Sequence, residues 1–186
     1  MTKTILITGA TDGIGLETAK MMAPMGHTLL LHGRNPEKLT ASAKAVSTIE
    51  GAGEIKTYRA DLSILSEVQA FADNLKSDFN SIDALINNAG VFKMSNPMTE
   101  GGYDARFIVN VIAPYMLTKA LLPVLGSAGR VVNLSSAAQA PANVQGFINK
   151  QSFGDSEPMR KANSRFRVSD RLNGGGRYAL PLREHA

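Results

Sequence analysis

Short apolar runs alternate with amphipathic segments along the first 136 residues, and this alternation limits the fold more than any other feature of the chain. Five runs are apolar nearly throughout, at 3–8, 27–32, 55–59, 82–87 and 130–135, and helical patterns lie between them, at 13–25, 36–49, 62–77 and 102–125. Strands of this kind indicate a parallel sheet covered by helices on both faces. Right-handed crossovers then predict an α/β fold with a doubly wound parallel sheet, of which five strands are visible and the C-terminal part is incomplete.

A glycine-rich segment follows the first predicted strand and opens the first predicted helix, with the sequence Thr8-Gly9-Ala10-Thr11-Asp12-Gly13-Ile14-Gly15. Its three glycines allow, in order, a tight turn, close approach of the backbone to a diphosphate and close packing of helix on strand. The helix N-terminus adds unpaired N–H groups and the positive end of a dipole. Glycines also make plain turns, and the position between strand and helix is what favours nucleotide binding.

The spacing T-G-x-x-x-G-x-G resembles that of the short-chain dehydrogenase/reductase family, in particular its retinol-dehydrogenase-like members. Four later segments agree in order, namely Asp61-Leu62, Asn87-Asn88-Ala89-Gly90, Asn110, and Val131-Val132-Asn133-Leu134-Ser135-Ser136. Taken alone, Asp61 also suits a helix N-cap and Asn87-Asn88 a turn. The segments favour the family because they occur together and in register, over residues 1–157.

The resemblance implies an oxidoreductase that transfers hydride between a nicotinamide dinucleotide and a small-molecule carbonyl or alcohol. Ser136 would hydrogen-bond the reacting oxygen, and Asn110 would support the family's lysine through water. The implied cofactor-binding residues follow the first four strands, and they are Gly9, Thr11, Asp12, Gly13, Ile14, Gly15, Arg34, Asp61, Leu62, Asn88, Ala89 and Gly90. A homo-oligomer is left open for an intact parent protein.

The end of the second strand indicates which dinucleotide binds. NAD-dependent proteins of this fold place an acid there, which accepts hydrogen bonds from the ribose 2′-hydroxyl. Here Gly33 occupies that position and Arg34 follows it. A guanidinium pairs well with a 2′-phosphate, which an acid would repel. We therefore favour NADP(H) over NAD(H), with a solvated turn residue as the alternative role for Arg34.

The family's tyrosine, which gives or takes the hydroxyl proton, and the lysine four residues later are missing after Ser136. Of the chain's four tyrosines, only Tyr115 has a lysine at that spacing, Lys119, and this pair precedes Ser136. We interpret it as a surface or interface pair; Tyr178 has Leu182 at the lysine position. Activity of the chain as written is therefore expected to be impaired, with a non-catalytic NADP(H)-binding module or remnant as the alternative.

The charge changes abruptly near residue 157. Residues 1–157 have a net charge of −1, whereas residues 158–186 have a net charge of +5 and no helix or strand period. We predict a partial NADP-binding domain over 1–157 and a basic, disordered tail over 158–186. A solvated end explains the tail more simply than a contact with nucleic acid or membrane.

A frameshift is our preferred explanation of the tail. Allowed codons for 157–165, after insertion of one G behind codon 157, read Glu-Ala-Tyr-Ala-Gln-Ser-Lys-Leu-Ala, which restores a family-like motif with tyrosine at position 159. A single-base deletion would account together for the charge change, the lost periodicity and the missing sixth strand. The freedom of degenerate codons leaves chance agreement as the alternative.

The rest of the composition excludes several kinds of site and segment. The absence of cysteine excludes disulfides, thiolate zinc sites and a cysteine nucleophile. His27, His32 and His185 show no metal-ligand spacing, so no metal is predicted. We see no segment of the roughly 20 apolar residues that a membrane span needs, and no signal peptide. A cytoplasmic protein without membrane or nucleic-acid partners is expected.

Overall fold

Five parallel strands form one sheet in the computed structural model, which describes residues 1–92, 97–99 and 101–135. The strands coincide with the five apolar runs: β1 Thr4–Ile7, β2 Thr28–Gly33, β3 Ile55–Arg59, β4 Ala84–Asn87 and β5 Arg130–Asn133. Their order in the sheet is β3-β2-β1-β4-β5. The described residues thus supply strands one to five of a doubly wound dinucleotide-binding sheet, in the expected order, so the predicted fold class is confirmed.

Four helices connect the strands. They are α1 Gly13–Met22, α2 Pro36–Ser47, α3 Leu65–Asp78 and α4 Ala105–Leu125. A short 3₁₀ turn, Ala23–Met25, extends α1 and ends at Gly26, whose φ of 71° places it in the left-handed region that favours glycine. Pro36 opens α2, as its fixed φ favours.

The two faces of the sheet bury separate apolar clusters because side chains alternate along each strand. On one face Leu6, Leu30 and Leu85 pack with α3 and α4. On the other face Ile7 and Leu31 pack with residues of α1 and α2. Burial on both faces explains why the central strands are apolar nearly throughout.

Helix α3 begins three residues later than predicted. The Asp61 carboxylate accepts hydrogen bonds from the backbone N–H of Ser63 at 2.9 Å and from its hydroxyl at 2.7 Å. This local turn competes with helix formation, so the prediction of a helix from residue 62 was wrong at its start. Leu62 is instead buried in the loop between β3 and α3.

The prediction that no segment is apolar and long enough for a membrane span was wrong for α4. Its 21 residues pass that test by length and composition within the described part of the chain. Leu117, Leu121 and Leu125 are buried against the sheet and α3, and 33% of the most apolar window of the helix is buried. Tyr115 and Leu122 are exposed on the same helix.

Several predictions concern residues outside the described ranges. These are the role of Ser136, the domain boundary at residue 157, the basic tail and the frameshift.

Candidate dinucleotide-binding site

A cleft of about 410 Å³ lies where the carboxyl ends of β1, β2, β3 and β4 meet. The chain runs outwards from β1 to β2 and β3, and then crosses back from β3 to β4 on the other side of β1. In open α/β sheets this reversal separates the loops and creates the crevice in which ligands bind. The order of the strands in the sheet therefore determines where the cleft lies.

Eleven of the twelve residues predicted to bind a cofactor line this cleft. They are Gly9, Thr11, Asp12, Gly13, Ile14, Arg34, Asp61, Leu62, Asn88, Ala89 and Gly90. The twelfth, Gly15, is buried in α1 directly behind the turn.

The glycine turn is closely packed against the β4 loop. Gly9 has a φ of 66°, and a Cβ atom there would lie 2.8 Å from the Ala89 Cα. A Cβ atom on Gly15 would overlap the Gly9 carbonyl oxygen and Asn88 Nδ2. Both positions require glycine, so the turn brings the start of α1 against the ends of β1 and β4.

Thr8 and Asn88 join the two central loops through hydrogen bonds. The buried Thr8 hydroxyl donates to the Ile86 carbonyl at 3.3 Å and accepts from the N–H groups of Asn88 and Ala89 at 3.0 Å. Asn88 Nδ2 donates back to the carbonyls of Thr8 and Gly9 at 2.9 and 3.0 Å. The glycine turn is thereby held by residues about 80 positions away in sequence.

The N-terminus of α1 opens into the cleft. Asp12 caps the helix, and its Oδ1 accepts the Gly13 N–H at 2.8 Å. Its other oxygen lies 3.8 Å from Lys38 Nζ, and both side chains are well exposed. First-turn N–H groups lack intrahelical partners and attract anions, and Lys38 offsets the negative charge that Asp12 brings to this end.

The β2 end carries a cation and no acid. Gly33 lines the cleft, and a Cβ atom there would overlap Thr11 Cγ2. The next side chain, Arg34, is 64% exposed, and its Nη1 lies 3.7 Å from Asp61 Oδ2. An exposed pair at this distance is weak, so the guanidinium is available to an incoming anion.

Asn110 lies in α4 at the edge of the cleft, within a π-helical segment, Ile108–Ile112. Its Oδ1 accepts the Val91 N–H and its Nδ2 donates to the Val91 carbonyl, both at 2.9 Å. The side chain therefore ties α4 to the loop after β4. Such π segments are frequent at functional sites, and apolar periodicity did not indicate this one.

Five further residues line the cleft that the sequence did not predict to contact a cofactor: His32, Gly33, Ala60, Val91 and Val109. His32 is the notable omission, since it is a buried polar residue at the end of an otherwise apolar strand. That position in the sequence was a signal, although it did not show what the ring contacts.

The tyrosines of the described residues lie away from the cleft lining. Tyr58 donates to Asp78 Oδ2 at 2.7 Å, and burial followed by the Asp78 hydrogen bond raises its pKa well above the ordinary value. Tyr103 and Tyr115 are exposed. The structure thus places Tyr115 on the surface of α4, in agreement with the interpretation of Tyr115 and Lys119 as a surface pair.

The cleft has the features that a dinucleotide requires. A Cβ atom on Gly13 would meet nothing within 4 Å, so the space above the start of α1 is open. The backbone donors of α1 suit a diphosphate. Asp61 offers a carboxylate, 22% exposed, on the β3 side, and Arg34 offers a cation.

These features define a Rossmann-type dinucleotide-binding protein. Residues 3–147 match the family model described as short chain dehydrogenase. The chain belongs to this family, as the sequence resemblance predicted.

Curated relatives agree with this assignment. Human retinol dehydrogenase 13 is 34% identical over 144 residues, covering 76% of this chain and 44% of the relative. A putative daunorubicin C-13 ketoreductase from Streptomyces is 31% identical over 171 residues, covering 92% of this chain and 58% of the relative. The chain spans about half the length of these relatives.

Solved structures show the same fold with cofactors. A metagenomic short-chain oxidoreductase in complex with NADP has a TM-score of 0.65 and 32% identity, covering 75% of this chain and 64% of its own. A Sphingobium yanoikuyae short-chain dehydrogenase with NADPH has a TM-score of 0.62 and 29% identity, covering 87% and 60%. An NADH-dependent reductase complexed with NAD has a TM-score of 0.61, 29% identity and coverage of 74% and 60%.

Proposed function

We propose that this chain is the NADP(H)-binding part of a short-chain oxidoreductase that interconverts a small-molecule carbonyl and an alcohol. The observation that carries the choice of dinucleotide is the end of β2, where Gly33 replaces an acid and Arg34 is exposed beside the cleft. NADP and NADPH in two similar solved structures support it, while a third holds NAD.

Each strand end has a separate role in this proposal. The first turn of α1 binds the diphosphate, Arg34 pairs with the 2′-phosphate, and Asp61 with Leu62 contacts the adenine. Asn88, Ala89 and Gly90 hold the loop along which the nicotinamide half lies. The bound cofactor supplies or accepts the hydride. Ser136 and Asn110 are the proposed polar groups of the catalytic centre, and the role proposed for Ser136 is to hydrogen-bond the reacting oxygen.

Dinucleotide titrations test the proposal. NADPH and NADH are titrated into the full chain by fluorescence, and NADPH is expected to bind more tightly. Arg34→Ser should weaken NADPH binding about tenfold, or about 1.4 kcal/mol, and leave NADH binding unchanged. Arg130→Ser removes the same charge at the start of β5, where Nη1 contacts only nearby carbonyls, and serves as the control. Equal losses in both variants would contradict a specific role for Arg34.

A non-catalytic NADP(H)-binding module is the second candidate. It is favoured by the positions of Tyr58, Tyr103 and Tyr115, which do not line the cleft. General acid–base catalysis is typically worth 10²–10⁴-fold in rate, so a chain without its tyrosine and lysine would bind cofactor and turn over poorly. A cytoplasmic location remains part of the proposal for either candidate.

Turnover assays separate the two candidates. The full chain is assayed with NADPH and a panel of aldehydes and ketones, in parallel with Ser136→Ala. NADPH binding without measurable oxidation supports the binding module or remnant. Carbonyl reduction that Ser136→Ala abolishes would establish an active enzyme and would refute the prediction that the activity of this chain is impaired.

A further inference from the structure

The imidazole ring of His32 joins the carboxyl ends of three strands. The Gly9 N–H, just after β1, donates to His32 Nδ1 at 3.2 Å, and His32 Nε2 lies 3.1 Å from the Ala60 carbonyl oxygen, just after β3. His32 itself belongs to β2 and is 2% exposed. The ring therefore links the glycine turn to the loop that carries Asp61.

These two contacts select one form of the ring. The Ala60 carbonyl oxygen only accepts hydrogen bonds, so Nε2 must carry a proton. The Gly9 N–H only donates, so Nδ1 must be free of a proton. Both contacts are satisfied together by the neutral Nε2–H tautomer, whereas a doubly protonated ring would lose the Gly9 hydrogen bond.

The surroundings favour the neutral ring. Phe71 of α3 stacks against it with centroids 4.8 Å apart. Burial lowers the pKa of His32 to about 4, while the hydrogen bond to Ala60 and the charge of Asp61 act in the opposite direction. Asp61 is the charged group whose field contributes to this balance. The ring is thus neutral at pH 7, and its proton stays on the Ala60 side.

We propose that His32 is a positioning residue of the dinucleotide site, which fixes the Gly9 turn for the diphosphate through Nδ1, while Nε2 anchors the ring on the Ala60 carbonyl. This inference rests on the proposed function for the identity of the ligand. The contact between His32 and Gly9 is a feature of the fold and does not depend on which ligand binds.

The Gly9 peptide explains why loss of a single hydrogen-bond acceptor, His32 Nδ1, would disturb the glycine turn. Gly9 is half-buried with a φ of 66°, and its carbonyl already accepts from Asn88, so its N–H would lose its hydrogen-bond partner within the fold if His32 were replaced. Loss of His32 Nδ1 would release one side of the turn while Asn88 holds the other. The first turn of α1 would then lose its fixed position relative to the diphosphate.

Two amide variants separate the two nitrogen atoms. Asn places its oxygen near the position of Nδ1, so His32→Asn can still accept from Gly9. Gln places its amide nitrogen near the position of Nε2, so His32→Gln can still donate to Ala60. Kd for NADPH, the exchange rate of the Gly9 amide and the urea midpoint are measured for both variants and for the unchanged chain.

The proposal expects His32→Asn to bind NADPH within about threefold of the unchanged chain and His32→Gln about tenfold more weakly. The Gly9 amide should exchange faster in His32→Gln than in His32→Asn, at comparable urea midpoints. Equal Kd values and equal exchange in the two variants would overturn it. So would ¹⁵N spectra of His32 that show the Nδ1–H tautomer or a charged ring at pH 7.

The exchange and ¹⁵N measurements separate this inference from the proposed function. A chain that binds no NADPH contradicts the proposed function and, with it, the role of His32 in binding. Faster Gly9 exchange in His32→Gln alone would then still show that the ring orders the turn.

Discussion

Asn88 Nδ2 donates hydrogen bonds to the carbonyl oxygens of both Thr8 and Gly9, at 2.9 and 3.0 Å. Together with the Thr8 hydroxyl, this amide group holds the loop after β4 against the loop after β1. Residues of both loops line the cleft, so this contact fixes one part of the cleft wall.

Replacement of Asn88 by Asp should open this contact. A carboxylate oxygen in place of Nδ2 would face two carbonyl oxygens, so we expect the free energy of unfolding to fall by about 1–3 kcal/mol and NADPH binding to be lost. Urea denaturation and fluorescence titration measure the two effects. Asn35→Asp is the matched control, because the Asn35 side chain only accepts, from Lys38 N–H at 2.8 Å, and Asp caps helices equally well. Similar destabilisation in both variants would contradict the role of the Nδ2 donor.

Gly15→Ala should destabilise the chain through crowding. The added methyl group would overlap the Gly9 carbonyl and Asn88 Nδ2, and overpacking of this kind typically costs about 1–3 kcal/mol. Thermal unfolding measures the change. Gly101→Ala is the control, since its Cβ atom would lie at an ordinary 3.4 Å from the Tyr103 ring. An unchanged Tm for Gly15→Ala would show that the turn can accommodate a methyl group at this position.

The stability of the chain should depend on pH through His32. Its pKa is lowered to about 4 in the folded chain, chiefly by burial, against 6.5 unfolded. Between these values the unfolded chain binds the extra proton, so the stabilisation is fully present above pH 6.5 and is lost as the pH falls towards 4. The loss amounts to roughly 3 kcal/mol, at 1.36 kcal/mol per pKa unit.

Urea midpoints from pH 7.5 to 4 test this dependence. The contribution should disappear in His32→Asn, which cannot titrate, and persist in His27→Gln, which leaves His32 in place. A pH profile that is the same in His32→Asn and in the unchanged chain would assign the dependence to other groups.

The coding DNA provides a direct test of the frameshift hypothesis. We expect that insertion of one G behind codon 157 makes codons 158–165 encode a tyrosine and, four residues later, a lysine. Re-reading the source DNA across codons 150–186 gives the answer. Codons that yield no such motif in the shifted frame would refute the hypothesis and favour a binding module with a distinct C-terminal segment.

The succession of strands and helices along the chain could be predicted from the sequence, because each element depends on signals within a few residues. Apolar runs marked β1 to β5, and Pro36 and Gly26 marked helix ends. The cleft-lining residues could also be predicted from the sequence, since the motif residues directly follow strands and parallel strands bring their carboxyl ends to one edge of the sheet. Arg34 and Asn88 are examples of residues placed in this way.

Only the tertiary structure decided which of these residues touch. The bond from Gly9 to His32 spans 23 positions, and those from Asn88 to Thr8 and Gly9 span about 80. The hydrogen bonds between Asn110 and Val91 span 19 positions, whereas the delayed start of α3 follows from the local contact of Asp61 with Ser63. Local periodicity determines which residues form strands and helices, whereas contacts between distant residues depend on how the strands are ordered side by side in the sheet.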